Sequence, residues 1–436
     1  MTPVDWWFLF KFNSAEEPGK PKPPGLTGIF DVPGWERPAY EESGAKFSQR
    51  YAFASSRNPQ LAQGRGILGA MEYDPLGSTF NQVYSAHPDE CFYVVWNDQF
   101  YNDPLPIKGA PWGHSKGMLA WDGDGNGFVM QVSTPSWPAS GNRHFPRQSD
   151  GNTLGYVTDD NIEVSQHFFA LKVNADDVKA ILRAMQNSSV VTGVATGPVK
   201  KETGKSKTKQ TWPTPNPRQL INNGGPQEIQ DLVNQLGKES TSLDSTLVEL
   251  SSGVHLISKP SAMPVPPWQM VSAMLGGIDL RVASWWATPE IYSTTRDTRI
   301  HCWDSQLGSP GAVDIAVTGN WVDGKRKIVL GLKGGMGADF NHAKVGVSTS
   351  GAQPLSIFGD LNQQGALCEN YLHEGQMCSS SQNGRGGMFY VMNHPDLHKS
   401  LAAMLTGESA PLQPPPKKKS PKNKPAKKTT TATSAA

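Results

Sequence analysis

Short apolar runs bounded by turn residues recur along this chain, and each predicts an element. "WWFLF" at 6–10, closed by Lys11, reads as a first strand. "CFYVVWND" at 91–98 is a buried-strand run ending in turn residues, and "KGMLAW" and "GFVMQVS" flank "DGDGN" as the arms of a hairpin. The period then changes. "NADDVKAILRAMQNSS" predicts a helix capped by Asn174, with Asp177 at the third helical position and Val178, Ile181, Leu182 and Met185 on one face. "PQEIQDLVNQLG" and "PPWQMVSAMLGG" predict two more helices, the second stopped by its glycines. "IDLRVASWW", "KIVLGL", "HAKVGVS" and "LSIFGDLN" follow as strands. Strands and helices in both halves predict a layered α/β architecture.

Composition sets limits on this picture. The 436 residues suffice for one large domain or two ordinary ones, and 13 Trp can anchor a sizeable core. The 44 Gly and 35 Pro imply many turns and long loops. No run of about 18 apolar residues exists, so no membrane insertion is expected. The opening "MTPVDWWFLFKF" lacks the basic start of a signal peptide, and the compartment is left undetermined. Four cysteines, Cys91, Cys302, Cys368 and Cys378, are too scattered for a disulfide scaffold. Cys368 and Cys378 could bridge a local loop, or all four could be thiols.

The net charge of +1 hides an uneven distribution. The tail "PPPKKKSPKNKPAKKTTTATSAA" holds seven Lys and no acid, so the rest of the chain carries +1 − 7 = −6. A second basic stretch, "KKETGKSKTK", lies at 200–209. Either could recruit a polyanion through counterion release, and either could be a solvated, solubilising segment. A homodimer is compatible with the sequence, which does not specify one.

Candidate chemistry enters with a repeated motif. "GHSKG" places His114 and Lys116 two residues apart, and "NHAKV" does the same with His342 and Lys344. Alternate side chains of a strand share a face, roughly 6–7 Å apart, so each motif presents an imidazole beside an ammonium. A neighbouring cation lowers the proton affinity of imidazole, which suits an anion site. Two such strands facing one pocket fit a phosphodiester. The lysines would neutralise non-bridging oxygens, one neutral imidazole would attack phosphorus, and the other, protonated, would supply the leaving group's proton. No metal or other cofactor is required, and activity should favour acid pH.

These motifs sit in longer stretches that resemble the deoxyribonuclease II family of the phospholipase D superfamily. The stretches are "PVDWWFLFKF", "VVWNDQ", "GHSKGMLAWDGDGNGFVMQVSTPSWP", "AMLGGIDLRVASWW", "FNHAKVGVS", "IFGDLNQQ" and "NGRGGMFYV", in order, with an insertion around 200–212. The resemblance implies an α/β chain built as a pseudo-symmetric pair of phospholipase D-like halves, each a mixed sheet flanked by helices, with one active site between them. The expected organisation is 1–198 as the first half, 199–215 as a basic linker or insertion, 216–410 as the second half and 411–436 as the Lys-rich tail. The resemblance also implies metal-independent, acid-favoured endonucleolytic cleavage of DNA to 3′-phosphate ends. His114, Lys116, His342 and Lys344 would be catalytic. Asp360 and Asn362 fall where superfamily members carry a supporting polar residue, with Ser133 their counterpart in the first half. Gln131 stands where animal relatives usually carry histidine, and Ala343 replaces a small hydroxyl residue.

Competing readings are a phosphodiesterase acting on RNA or phospholipid, and a non-catalytic polyanion-binding protein. "DGDGNG" opens like a calcium loop, but Ser133 stands where the bidentate Glu should be, which favours a hairpin turn. "GLKGGMGADF" lacks the Lys-Ser/Thr of a P-loop, and His301 beside Cys302 has no second ligand pair at zinc spacing. His144, His167, His255, His301, His373, His394 and His398 read as core or surface histidines.

Overall fold

The structure, a computed structural model, describes residues 3–13, 51–64, 75–84, Ala86, 89–99, 109–135, Trp137, 164–193, 220–285, 291–323, 326–335, 340–365, Leu367 and 377–412. The chain first forms β1 (Trp6–Lys11), β2 (Tyr51–Ser55), β3 (Asn58–Gln63), α1 (Pro75–Tyr84), β4 (Phe92–Asn97), β5 (Lys116–Trp121), β6 (Gly127–Val132), β7 (Gln166–Val173) and α2 (Ala175–Asn187). It continues with β8 (Ile221–Asn222), α3 (Gln227–Val233), β9 (Thr246–Glu249), β10 (His255–Lys259), α4 (Pro267–Met274), β11 (Leu280–Ala283) and β12 (Val313–Ile315). Last come β13 (Thr318–Asp323), β14 (Arg326–Gly331), β15 (Val345–Ser348), β16 (Leu355–Gly359), β17 (Gly387–Asn393) and α5 (Pro395–Leu405).

The strands make two large sheets and a separate β13–β14 ribbon. The first sheet runs β3-β2-β1-β7-β6-β5-β4-β8 and the second β12-β11-β15-β16-β17-β10-β9. Within them, β1-β7-β6-β5-β4 and β10-β17-β16-β15-β11 have the same order and the same antiparallel pairing. A helix precedes β4 and β11, and another follows β7 and β17. The chain is therefore an α/β pseudo-repeat. The short β8, beyond the 199–215 stretch, pairs with β4 and so extends the first sheet.

Alternation along β1 shows how the layers form. Trp6, Phe8 and Phe10 enter the core between the sheets, while Trp7 and Leu9 face α1 on the outer side. Both faces are covered, so the strand reads in sequence as an unbroken apolar run. Phe8 and Phe169 stack on Phe358 of β16 at 4.7 and 4.5 Å between ring centroids, joining the halves through aromatic contact. The buried faces of α2 and α5 complete this central core. Each fully buried Phe is worth about 2–3 kcal/mol. The helix α2 has the expected cap: Asn174 Oδ1 accepts from the amides of Asp176 and Asp177, both at 3.0 Å, and Asp177 accepts from the Asn174 amide.

The proposed local bridge is corrected: Cys378 is bonded to Cys302, 76 residues away in sequence. The amides of His301 and Cys302 both donate to the Leu367 carbonyl, which brings these distant segments together. Cys368, His144 and His373 lie outside the described residues. The β5–β6 hairpin forms as read, with Asp122 Oδ1 accepting from the amides of Asp124 and Asn126 in its turn. No helix among the described residues is long and apolar enough to cross a membrane.

Candidate active site

The two His-x-Lys motifs lie at equivalent points of the repeat, but not within strands as the sequence suggested. Lys116 is the first residue of β5, and Lys344 immediately precedes β15. The histidines stand outside the ladders because their amides bond across the molecule. His114 N donates to Gly386 O and His342 N to Ser165 O, both at 2.8 Å. Gly386 lies just before β17 of the second half, and Ser165 just before β7 of the first. Each histidine is thus seated on the opposite half of the chain.

In the first pair, His114 Nδ1 lies 2.8 Å from the Asp360 carbonyl. A carbonyl only accepts, so the Nδ1 proton is fixed there and the neutral ring keeps its lone pair on Nε2. Lys116 Nζ is 3.5 Å from that Nε2 and donates to Asp98 Oδ1 at 2.7 Å. Asp98 Oδ2 accepts from Arg385 at 2.7 Å, and the same guanidinium donates to the carbonyls of Trp112 and Gly113. Burial alone would raise the Asp98 carboxyl, but Lys116 and Arg385 override it and hold it well below the usual carboxylate range.

The second pair is built differently. Strand register makes Trp285 the counterpart of Asp98, since Asn97 pairs with Lys116 and Ala283 with Val345. The Trp285 ring meets the His342 ring edge-on at 4.4 Å. In place of a carboxylate, Lys344 Nζ finds the His342 carbonyl at 2.6 Å. Burial first, and then Lys116, lower the Lys344 ammonium to about 7.

Charge also couples the two motifs. His114 is held well below 6.5 by burial and then by Lys116, with Arg385 and Lys344 adding to the effect against Asp98. His342 is lowered by burial, then by Lys344, Lys116 and Lys11. Each motif's lysine therefore acts on both imidazoles.

Of the supporting residues, Asp360 is at the centre. Burial pushes its carboxyl up to about 7, against the opposing influence of Ser115, Met388, Lys116 and Gln131. Oδ2 accepts from the Met388 amide at 2.9 Å and Oδ1 from Gln131 Nε2 at 3.0 Å. Ser133 is its counterpart in register: Ser133 Oγ accepts from His167 N at 2.8 Å, as Asp360 accepts from Met388 N. Ser133 also donates to Gln166 Oε1 at 2.6 Å. Asn362 is buried, its side-chain amide donating to Gln364 at 3.0 Å and its main-chain amide to Gln382 at 3.2 Å.

Three participants were not legible as such in the sequence. Asp98 and Arg385 form the ion-paired bracket on Lys116. His167, read as a core or surface histidine, lies against the second lysine: its Nδ1 accepts from Lys344 N at 3.2 Å. That bond places its proton on Nε2, which has no hydrogen-bond partner among the described residues. Burial and then Lys344 lower its pKa to about 3.

Fold and geometry together describe an α/β pseudo-repeat in which each His-x-Lys motif is seated on the opposite half. The family model for deoxyribonuclease II matches residues 35–407, most of the chain, and the protein belongs to that family. It is accordingly placed among nucleases, hydrolases whose substrate is nucleic acid. No curated protein matches the chain.

Proposed function

We propose that this protein cleaves DNA endonucleolytically, without a metal and fastest at acid pH, through a phosphohistidine intermediate that leaves 3′-phosphate ends. The observation that supports this most is the convergence of His114, Lys116, His342 and Lys344 on one buried centre, each histidine seated on the other half. In this reading, 1–198 and 216–410 each contribute one pair, 199–215 joins them, and 411–436 is a basic appendage.

The lysine ammoniums stabilise the non-bridging oxygens as charge grows on them in the transition state. One neutral imidazole attacks phosphorus in line, forming the N–P bond as the P–O5′ bond breaks. The other imidazolium gives its proton to the departing O5′. Water then attacks phosphorus from the vacated side and loses a proton to that second ring. The N–P bond breaks, freeing the first imidazole and the 3′-phosphate. Asp98, kept ionised by Lys116 and Arg385, favours the charged form of Lys116 against its burial, while Asp360 and Ser133 organise the strand ends beside the histidines.

The pH dependence follows from which ring must be charged. Burial and the lysines favour neutral imidazoles, so the attacking ring is ready, and the proton of the acid is scarce. Lowering the pH supplies it. The rate should fall roughly tenfold per pH unit along the alkaline limb, as for loss of one required proton. Supercoiled plasmid incubated in EDTA from pH 4 to 8 tests this. Nicking near pH 5 that declines toward pH 8 is expected; no cleavage in EDTA, or a maximum near pH 8, would overturn the proposal.

A further inference from the structure

A second pair of lysines, outside both motifs, occupies equivalent places in the two halves. Lys11 ends β1 opposite Gln166 of β7, and Lys259 ends β10 opposite Gly387 of β17. Strand register equates these positions throughout: Gly117 pairs with Gln131 as Val345 pairs with Phe358, and Gln131 pairs with Phe169 as Phe358 pairs with Tyr390. Both lysines are fully buried.

Their bonds repeat as well. Lys11 Nζ donates to Val164 O at 2.7 Å. Lys259 Nζ donates to the carbonyls of Arg385 at 2.9 Å, Asn383 at 2.8 Å and Pro260 at 3.2 Å. Val164 precedes Ser165, whose carbonyl takes the His342 amide; Arg385 precedes Gly386, whose carbonyl takes the His114 amide. Each buried ammonium therefore grips the peptide next to a histidine's seat.

We infer that Lys11 and Lys259 are positioning residues, each fixing the backbone seat of the opposite half's histidine: Lys259 that of His114, and Lys11 that of His342. An apolar side chain would fill such a buried place at lower desolvation cost, so shape alone does not account for the ammonium. Burial indeed lowers the Lys259 pKa to about 7. Lys259 has a second lever, because the residue whose carbonyl it holds is Arg385, whose side chain brackets Asp98. Lys11 also lies close enough to His342 to lower that ring's proton affinity.

The effect on turnover rests on the nuclease reading, but the seating itself does not. The test is therefore made first on the free protein, by NMR of the imidazole Cε1–H groups in wild type, Lys259→Met and Lys11→Met. Lys259→Met should displace the His114 resonance and leave that of His342 in place; Lys11→Met should do the reverse. With plasmid substrate, each variant should lose about tenfold or more in kcat with KM within about twofold, as expected when reacting groups are misplaced rather than binding lost. If a methionine variant does not fold, Lys259→Gln or Lys11→Gln, whose uncharged donor ends one bond short of the ammonium, should displace the same ring in the same selective way, to a smaller extent. Unmoved histidine resonances, or both rings displaced alike by either variant, would overturn the inference. Failure of the wild type to cleave DNA would sink the nuclease reading and leave the NMR comparison standing.

Discussion

At the scale of single residues, the acid-favoured chemistry proposed above and stability pull in opposite directions. His167 is fully buried and its pKa is lowered to about 3 from 6.5. The unfolded chain therefore binds this proton more strongly. Above pH 6.5 the group imposes no penalty; as the pH falls from 6.5 toward 3, it opposes folding by an amount approaching a few kcal/mol. His167→Gln, which keeps an acceptor for the Lys344 amide, should show a smaller drop in Tm between pH 7 and pH 4 than the wild type. Parallel drops would contradict this account of His167. Its place could not be read from the sequence, because "SQHFFALKV" is an ordinary strand pattern. What makes His167 special is an amide of the other half, 177 residues away. Asp98 was hidden for the same reason, since its partners Lys116 and Arg385 come from different halves. The two lysines and two histidines were legible because their spacing repeats.

At the scale of elements, local signals were read where local chemistry decides. Helix α2 has its cap and apolar stripe in its own sequence. Asn174→Ala removes the acceptor for two first-turn amides and should cost about 1 kcal/mol in urea unfolding, with cleavage rate unchanged. A loss below a few tenths would mean that Asp177, also bonded to Ser251, anchors the turn alone. Helices α1 and α5 gave no such signal. The first has Gly77 in its first turn and is held by tertiary contacts: Phe80 lies edge-on to Trp137, and Trp7 Nε1 donates to Thr79 Oγ1. The second begins after His394 with no side-chain cap bond. The strand assignment of the His-x-Lys motifs erred by two residues at His114 and three at His342, because each histidine amide leaves its own ladder to bond the other half.

For the whole molecule, the repeat accounts for how the proposed single centre would draw on both halves. Strands of the same order and register deliver one imidazole and one ammonium from each side, and the crossed amide bonds draw both to the middle. The halves are not copies: Asp98 in one is Trp285 in the other, and Ser133 in one is Asp360 in the other. Sequence could reveal the repeated motif but not these exchanged partners, which depend on sheet register. The seven-lysine tail belongs to this scale too. If it is an arm for polyanions, removing 414–436 should flatten the salt dependence of DNA binding by several units of slope, since each phosphate contact contributes about one. An unchanged slope would leave it as a solubilising segment.

The central claim is that His114 and His342 act on one phosphate. Plasmid cleavage by His114→Ala and by His342→Ala, each compared with wild type in EDTA near pH 5, tests it most directly. Removing either attacking or proton-donating ring should lower turnover at least ~1000-fold, and the double variant should be scarcely worse than either single one. Retention of a tenth or more of wild-type activity by either single variant would contradict a shared site.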